Sequence, residues 1–344
     1  MRKRSKILII TFIILTAGSI TTIFGILLYI NTPSVRHGYG MVYDASVKKV
    51  ILFGGGYQDS SSYSYYGDTW SYDPNTNIWS EIPTQTHPSA RSSHSMVYDP
   101  INQKIILFGG VDLSDNWLND TWIFNSRTNT WTEVYPENNP PIRGSASIFY
   151  DNQAQKVIIF GGYRESGGHL DDTWVYDYST NNWTNLDPIV KPTGRYGAPM
   201  IYDPINQRGL MFGGSTSIIM DDTWVYYYSN NTWSELTIVT RPANRYWEGL
   251  AYDESAHKVI LFGGRTPTGG IGYALDDTWA FDPTNNQWIE LNPTSHPTNR
   301  FHITLVYEPE RKKTIVLGGF RFPDVCLGDT WGYDYNTNNW NNLK

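Results

Sequence analysis

The chain has one cysteine in 344 residues, Cys326, so no internal disulfide can brace it and stability has to come from packing. Charge is scarce as well: Asp, Glu, Lys and Arg together make up 17% of the residues, and no basic run interrupts the main body. The formal charge of -7 includes +4 from Arg2, Lys3, Arg4 and Lys6, so the remainder stands at -11. An acidic body without clustered Lys and Arg argues against nucleic acid as a partner, because phosphates demand such clusters. Nucleophile elbows, phosphate loops and local metal-ligand spacings are missing too, which leaves no cofactor and no metal to expect. What the chain has in quantity is aromatic residues (15%), 30 Gly and 19 Pro, the composition of many short strands joined by tight turns.

There is a single long apolar run, from Ile7 to Ile30, without a charge. As a helix rising about 1.5 Å per residue it would exceed a hydrocarbon core of about 30 Å. With residues 1–6 basic and held in the cytoplasm, residues 7–30 read as a signal anchor, and residues 31–344 would lie on the extracytoplasmic side of a single-pass cell-membrane protein. A cleaved signal peptide competes, although its apolar region is shorter and its small-residue cleavage site is not evident here.

From Arg36 onward one unit recurs six times. Its arginines, Arg36, Arg91, Arg143, Arg195, Arg245 and Arg300, mark the repeat starts, and a tyrosine follows each by seven residues, from Tyr43 to Tyr307. A glycine pair begins eighteen residues after every arginine, at Gly54, Gly109, Gly161, Gly213, Gly263 and Gly318. An Asp-Thr-Trp element comes next, ending at Trp70, Trp122, Trp174, Trp224, Trp279 and Trp331, and a second tryptophan lies nine further on, from Trp79 to Trp340. Each copy holds four short strand signals separated by Asp, Asn, Pro and Gly turns. In the first they are Gly38–Tyr43, Val50–Phe53, Thr69–Tyr72 and Ile78–Ile82, here named A to D. A four-stranded unit at this period predicts an all-β propeller blade, which cannot bury both faces alone and has to stack around an axis.

This pattern of Arg, Tyr-Asp, an apolar run ending in Gly-Gly, Asp-Thr-Trp and a later Trp resembles the kelch repeat over essentially all of residues 36–344. The resemblance implies a six-bladed β-propeller with four antiparallel strands per blade. A sialidase Asp-box is the rival for Asp-Thr-Trp, but its upstream Ser and Asp are absent, with Tyr63 and Tyr65 in their places in the first copy. Since the frame runs from strand A of the first copy to strand D of the last, the ring is expected to close without an exchanged strand.

The spacings also point to a working face. Arginine to glycine pair, tryptophan to tryptophan and tryptophan to next arginine are constant, whereas the first glycine to the Asp of Asp-Thr-Trp varies as 14, 11, 11, 9, 14 and 11. All length variation therefore sits in the B–C loops, which share one side with the D–A connections, and insertions gathered on one side mark a binding face. Of fourteen tryptophans only Trp117 and Trp247 lie outside the repeat positions, and both fall on that side. Tyr196, Tyr246 and Phe301 directly follow arginines, and Phe320 and Phe322 occupy the last loop. Aromatic side chains there suit peptides or sugars, because they offer large area with few rotors.

The six arginines admit two readings. Circling the channel mouth they would clamp an acidic ligand, as the family resemblance implies for some members; alternatively they pair with Asp68, Asp120, Asp172, Asp222, Asp277 and Asp329. Candidate polar residues on the same face are His37, His94, Glu248 and His302, which come from separate blades. The expected function is a binding module for a protein, peptide or glycan. The alternative is a sugar-modifying enzyme, epimerase- or oxidase-like, at the channel mouth, which the resemblance implies as an option.

Overall fold

A computed structural model describes residues 6–10, 26–30, 32–165, 168–267 and 273–343. Six antiparallel sheets follow one another, each with four strands in the order A-B-C-D, and in blade 2 the short strand Arg91–Ser92 pairs in addition with strand B. Blade 1 consists of Gly40–Asp44, Lys49–Phe53, Thr69–Asp73 and Ile78–Ile82. Blade 6 consists of Leu305–Glu308, Lys313–Arg321, Val325–Asp334 and Asn339–Asn342. Strand A of blade 1 starts two residues later than expected because Gly38 is left-handed (φ +61°) and belongs to the turn that enters the strand.

Cores form between neighbouring blades. Val42, Ile51 and Phe53 of blade 1 pack on Met96, Ile105, Leu107 and Trp131 of blade 2, and the opposite face of blade 1 packs on Val306, Ile315 and Leu317 of blade 6. Alternation along each strand therefore feeds two interfaces at once, as the stacking argument requires. The recurring motifs bind these layers together. The indole N–H of each strand-D tryptophan donates to the Asp-Thr-Trp threonine of the preceding blade, as in Trp131 to Thr69 Oγ1 (2.9 Å) and Trp183 to Thr121 Oγ1 (3.1 Å). The strand-C tryptophans turn back on the aspartate two residues earlier, as in Trp174 Nε1 to Asp172 Oδ2 (2.7 Å).

The seam between blades 6 and 1 repeats these bonds. Trp79 Nε1 donates to Thr330 Oγ1 (3.0 Å), Arg36 N–H to Leu327 O (3.1 Å), and Gly319 N–H to Arg36 O (2.9 Å). Trp340 stays in the blade of Leu305–Glu308, so no strand is exchanged. The glycine pairs are explained by the same contact: a β-carbon on Gly161 (φ +65°) would lie 2.6 Å from the carbonyl oxygen of Arg195 in the next blade. Only glycine takes that conformation and leaves that space.

The helix expected over 7–30 is not seen among the described residues. Lys6–Ile10 and Ile26–Ile30 are antiparallel strands, with Lys6 opposite Ile30 and Ile10 opposite Ile26, where a helix over 7–30 was expected. Both stretches are rich in isoleucine, whose branched β-carbon suits a strand. The residues between them lie outside the described ones, and with them most of the expected transmembrane span, as do residues 1–5 with Arg2, Lys3 and Arg4. Among the described residues, no helix is long and apolar enough to cross a membrane.

Candidate functional site

The B–C loops and the entries to strands A do share one side of the ring. Each strand A is preceded by a residue two positions after the arginine, and all six of these are left-handed: Gly38, Ser93, Ser145, Gly197, Trp247 and His302, with φ from +52° to +66°. This conformation turns every N–H toward the preceding blade. The result is a closed circle of hydrogen bonds, Ser93 to Gly38, Ser145 to Ser93, Gly197 to Ser145, Trp247 to Gly197, His302 to Trp247 and Gly38 to His302, all 2.7–2.9 Å.

Two side chains of this circle lie across the opening. Trp247 rests over Gly197 and donates its indole N–H to Ser145 Oγ (3.3 Å), and His302 rests over Gly38 with Nε2 3.2 Å from Ser93 Oγ. The two rings stack on each other at 4.4 Å and 16°. They cover the end of a central channel of about 880 Å³, whose walls run along the six strands A to the A–B turns on the opposite side. A ligand entering the channel from the B–C side therefore meets these two rings.

The rings on this side form a continuous chain, part of it beneath the surface, since Tyr246, Phe301 and Phe320 are buried. Trp117 packs edge-on to Tyr163 (5.3 Å), Tyr163 touches Tyr196 (5.8 Å), and His169 stacks on Tyr196 (5.6 Å, 9°). Tyr196 meets both Tyr246 and Trp247, and beyond His302 the chain of rings continues through His37 and Phe320 to Phe301 and Phe322. Arg265 lies over this floor, its guanidinium 5.0 Å from the Phe322 ring, 5.6 Å from Tyr246 and 5.7 Å from Phe301. At such distances the ring quadrupoles attract the cation. Arg265, Tyr163 and His169 were not singled out from the sequence; the one signal they carried was their place just after a glycine pair or inside a B–C loop.

The sequence candidates divide into three groups. Trp117, Tyr196, Tyr246, Trp247 and His302 come together on this floor. The six arginines instead turn into their own blades, each buried and bidentate to the aspartate that opens strand C. Arg36 binds Asp68 at 2.7 and 2.9 Å, Arg91 binds Asp120 at 2.6 and 2.7 Å, and Arg143 binds Asp172 at 2.7 Å twice. Arg195, Arg245 and Arg300 bind Asp222, Asp277 and Asp329 in the same way. Each guanidinium also donates Nη1 to the first carbonyl of the glycine pair and Nε to the residue two before it, so in Arg91 and Arg300, where Nη2 also reaches Ser89 Oγ and Thr298 Oγ1, all five N–H groups are used. The pairing reading is the one this geometry realises. Burial alone would raise the Asp68, Asp172 and Asp329 carboxyls, and the arginine partners more than offset it, holding them below the usual range.

His94 and Glu248 form the third group. Both sit at the third position after the arginine, point between blades and are buried, 7% and 2% exposed, so neither lies on the loop surface where the sequence placed it. His37 and His302 face each other with Nδ1 atoms 3.0 Å apart. Burial pushes His37 down to about 4 and His94 down to about 3, and burial with His37 and His94 nearby pushes His302 well below its usual value. All three imidazoles are therefore neutral at ordinary pH, and the cation on the floor is Arg265. Among the described residues, no cluster of three or more His, Cys, Asp or Glu side chains is arranged to hold a metal.

Comparison with known proteins agrees with the repeat. The model of the KLHDC2/KLHL20/DRC7 Kelch-repeats domain matches residues 26–191 and again 152–344. The F-box/kelch-repeat protein At1g51550 of Arabidopsis thaliana is 30% identical over 198 residues, covering 53% of this chain and 39% of its own length. The host cell factor homolog hcf-1 of Caenorhabditis elegans is 21% identical over 301 residues (83% of this chain, 32% of the relative), and Kelch domain-containing protein 2 of Bos taurus is 28% identical over 171 residues (47% and 40%). The alignments thus span less than half the length of these relatives. With six identical arginine–aspartate and tryptophan–threonine ties, a closed ring of blades and a family model matched along residues 26–344, the chain belongs to the kelch-repeat β-propeller family.

Proposed function

We propose that this propeller is a protein-binding module that grips its partner on the B–C face and is held outside the cytoplasm by its apolar N-terminal segment. Kelch propellers generally serve as protein-interaction modules, and that much is common to the family. The observation that carries the choice of face is the run of partly exposed rings from Trp117 through Tyr196 and Trp247 to Phe322, seated on buried Tyr246, Phe301 and Phe320, with the Arg265 guanidinium over it and loops of unequal length around it. Such a floor suits an extended segment presenting apolar side chains, and Arg265 suits a carboxylate within it. Probing peptide and glycan arrays with the full chain tests the reading. Peptide binding that is lost in Arg265→Ala supports it; binding to glycans alone overturns it.

The anchoring part rests on the uncharged stretch Ile7–Ile30 behind Arg2, Lys3, Arg4 and Lys6. Protease added to intact cells should digest the propeller. Complete protection would overturn this orientation, and a mature chain beginning beyond Ile30 would replace the anchor with a cleaved signal.

A further inference from the structure

The third position after the arginine is held by Tyr39, His94, Ala146, Ala198, Glu248 and Ile303, and in each blade it faces the preceding blade near the end of strand B. In blade 1 the Tyr39 hydroxyl donates to the carbonyl of Leu317, the residue just before the blade 6 glycine pair. In blade 2 the His94 ring lies edge-on to Phe53, just before the blade 1 pair, and its Nε2 accepts the Gly40 N–H at 3.0 Å. Glu248 reaches the same place between blades 5 and 4, but blade 4 has Pro199 where blade 1 has Gly40, and proline has no N–H to give.

Two backbone carbonyls gather with the carboxyl around Gly213. A β-carbon built on Gly213 would lie 2.6 Å from the Arg245 carbonyl oxygen, 3.0 Å from Glu248 Oε1 and 3.5 Å from the Met220 carbonyl oxygen. Those two carbonyls already accept backbone N–H groups, from Gly214 and Arg245, and each retains a second lone pair. Neither Glu248 oxygen has a hydrogen-bond partner in another residue. The charged groups facing the site are committed elsewhere: Arg245 is bidentate to Asp277 in blade 5, and Arg195 is bidentate to Asp222 in blade 4. An ionised carboxylate here would have no donor beyond its own backbone N–H, whereas a protonated one can donate where Tyr39 donates in blade 1.

We propose that Glu248 is held as a neutral carboxylic acid that latches blade 5 to the carbonyl-lined end of blade 4, and that ionising it in mildly alkaline solution loosens the ring at this one interface. The electrostatics agree: burial pushes the Glu248 carboxyl up to about 8, against the opposing pull of its own backbone N–H and of Arg245, and with Asp277 reinforcing the rise. A carboxyl whose folded value is raised makes the folded state bind more protons than the unfolded one. Stability is then greatest below the unfolded value of 4.5 and is lost as pH rises through the window up to about 8. One proton taken up on folding changes the folding equilibrium by about tenfold per pH unit across that window.

The test is urea unfolding of the full chain from about pH 5 to about pH 9, for wild type, Glu248→Gln and Glu248→Ala, reading the change in folding equilibrium per pH unit. Gln keeps the shape and supplies a donor that cannot ionise, and Ala already occupies this position at Ala146 and Ala198, so at least one variant should fold. Between about pH 5 and about pH 8 the wild type should lose close to tenfold more per pH unit than either variant, the difference removing the contribution of other raised groups such as Glu308. An infrared difference spectrum of wild type against Glu248→Gln at neutral pH should show a protonated carboxylic acid band. Parallel pH profiles in all three proteins, or a carboxylate band at neutral pH, would overturn the proposal. So would stabilisation of wild type but not Glu248→Gln by added calcium or sodium, since the carboxyl would then be holding a cation.

Discussion

Replacing Arg143 by methionine would decide whether the arginine ring serves the blades or a ligand. The guanidinium is fully buried and makes four hydrogen bonds: Nε to Pro141 O (3.0 Å), Nη1 to Gly161 O (2.9 Å), and Nη1 and Nη2 to the two Asp172 oxygens (2.7 Å each). Methionine fills most of the stem's volume and supplies none of them, leaving the Asp172 carboxylate with the Trp174 indole as its remaining side-chain donor. Removing one member of a buried pair costs about 3–5 kcal/mol, because the other charge is stranded in low dielectric. Exposed pairs cost about 0–1 kcal/mol, so the two cases are well separated. Equilibrium urea unfolding should show the larger loss, and the double variant Arg143→Met/Asp172→Leu should recover much of it, since no charge is left stranded. Asp172 lies below its ordinary value of 3.8, so the stability that it contributes is present above that value and is lost as pH falls through the lower folded one. Arg143→Met should therefore also flatten the acid limb of the stability profile. A loss under about 1 kcal/mol with an unchanged acid limb would mean that the guanidinium is solvated, and would return the arginines to the list of ligand-binding groups.

Three further outcomes are expected. Trp117→Ala should weaken partner binding by about 1–2 kcal/mol and leave melting nearly unchanged, because the ring lies on the surface of blades 2 and 3; equal melting loss without an affinity change would make it structural. Trp247→Ala should lower both affinity and melting temperature, since that ring bridges Gly197, Ser145 and His302, while Trp183→Ala should cost about 3–5 kcal/mol in stability alone. Gly38→Ala should cost about 1–2 kcal/mol from its left-handed backbone, with more from a β-carbon 2.6 Å from His302 Cε1; unfolding at the wild-type urea concentration would show that His302 is not seated there.

Not every candidate could be placed from the chain alone. Within a strand, side chains alternate between the two interfaces of a blade, as Val42 and Ile51 on one side and Val50 and Leu52 on the other do in blade 1. The residues between each arginine and its strand A escape that rule, because the left-handed residue at the second position breaks the period of two. Trp247 and His302 were thus legible as unusual residues near the B–C side, while their lying across the channel was not. His94 and Glu248, one residue later, read as polar groups on a loop and proved to face inward.

Local covalent pattern was enough for whatever repeats: blade number, four strands per blade, the constant eighteen residues from arginine to glycine pair, variation confined to the B–C loops, and a ring that closes without exchange. Each follows from periodicity, which needs only the order of residues along the chain. Ring closure decided the rest, because it brings together residues that no sequence interval relates. His37 meets His302 across the seam, Trp247 reaches Ser145 two blades away, and Arg265 settles over Phe301 and Phe322 of the next blade. Glu248 depends on closure most of all: its neutral state follows from Pro199 and the carbonyls around Gly213 in the blade before it, groups whose burial and lack of a free donor exist only once blades 4 and 5 are packed.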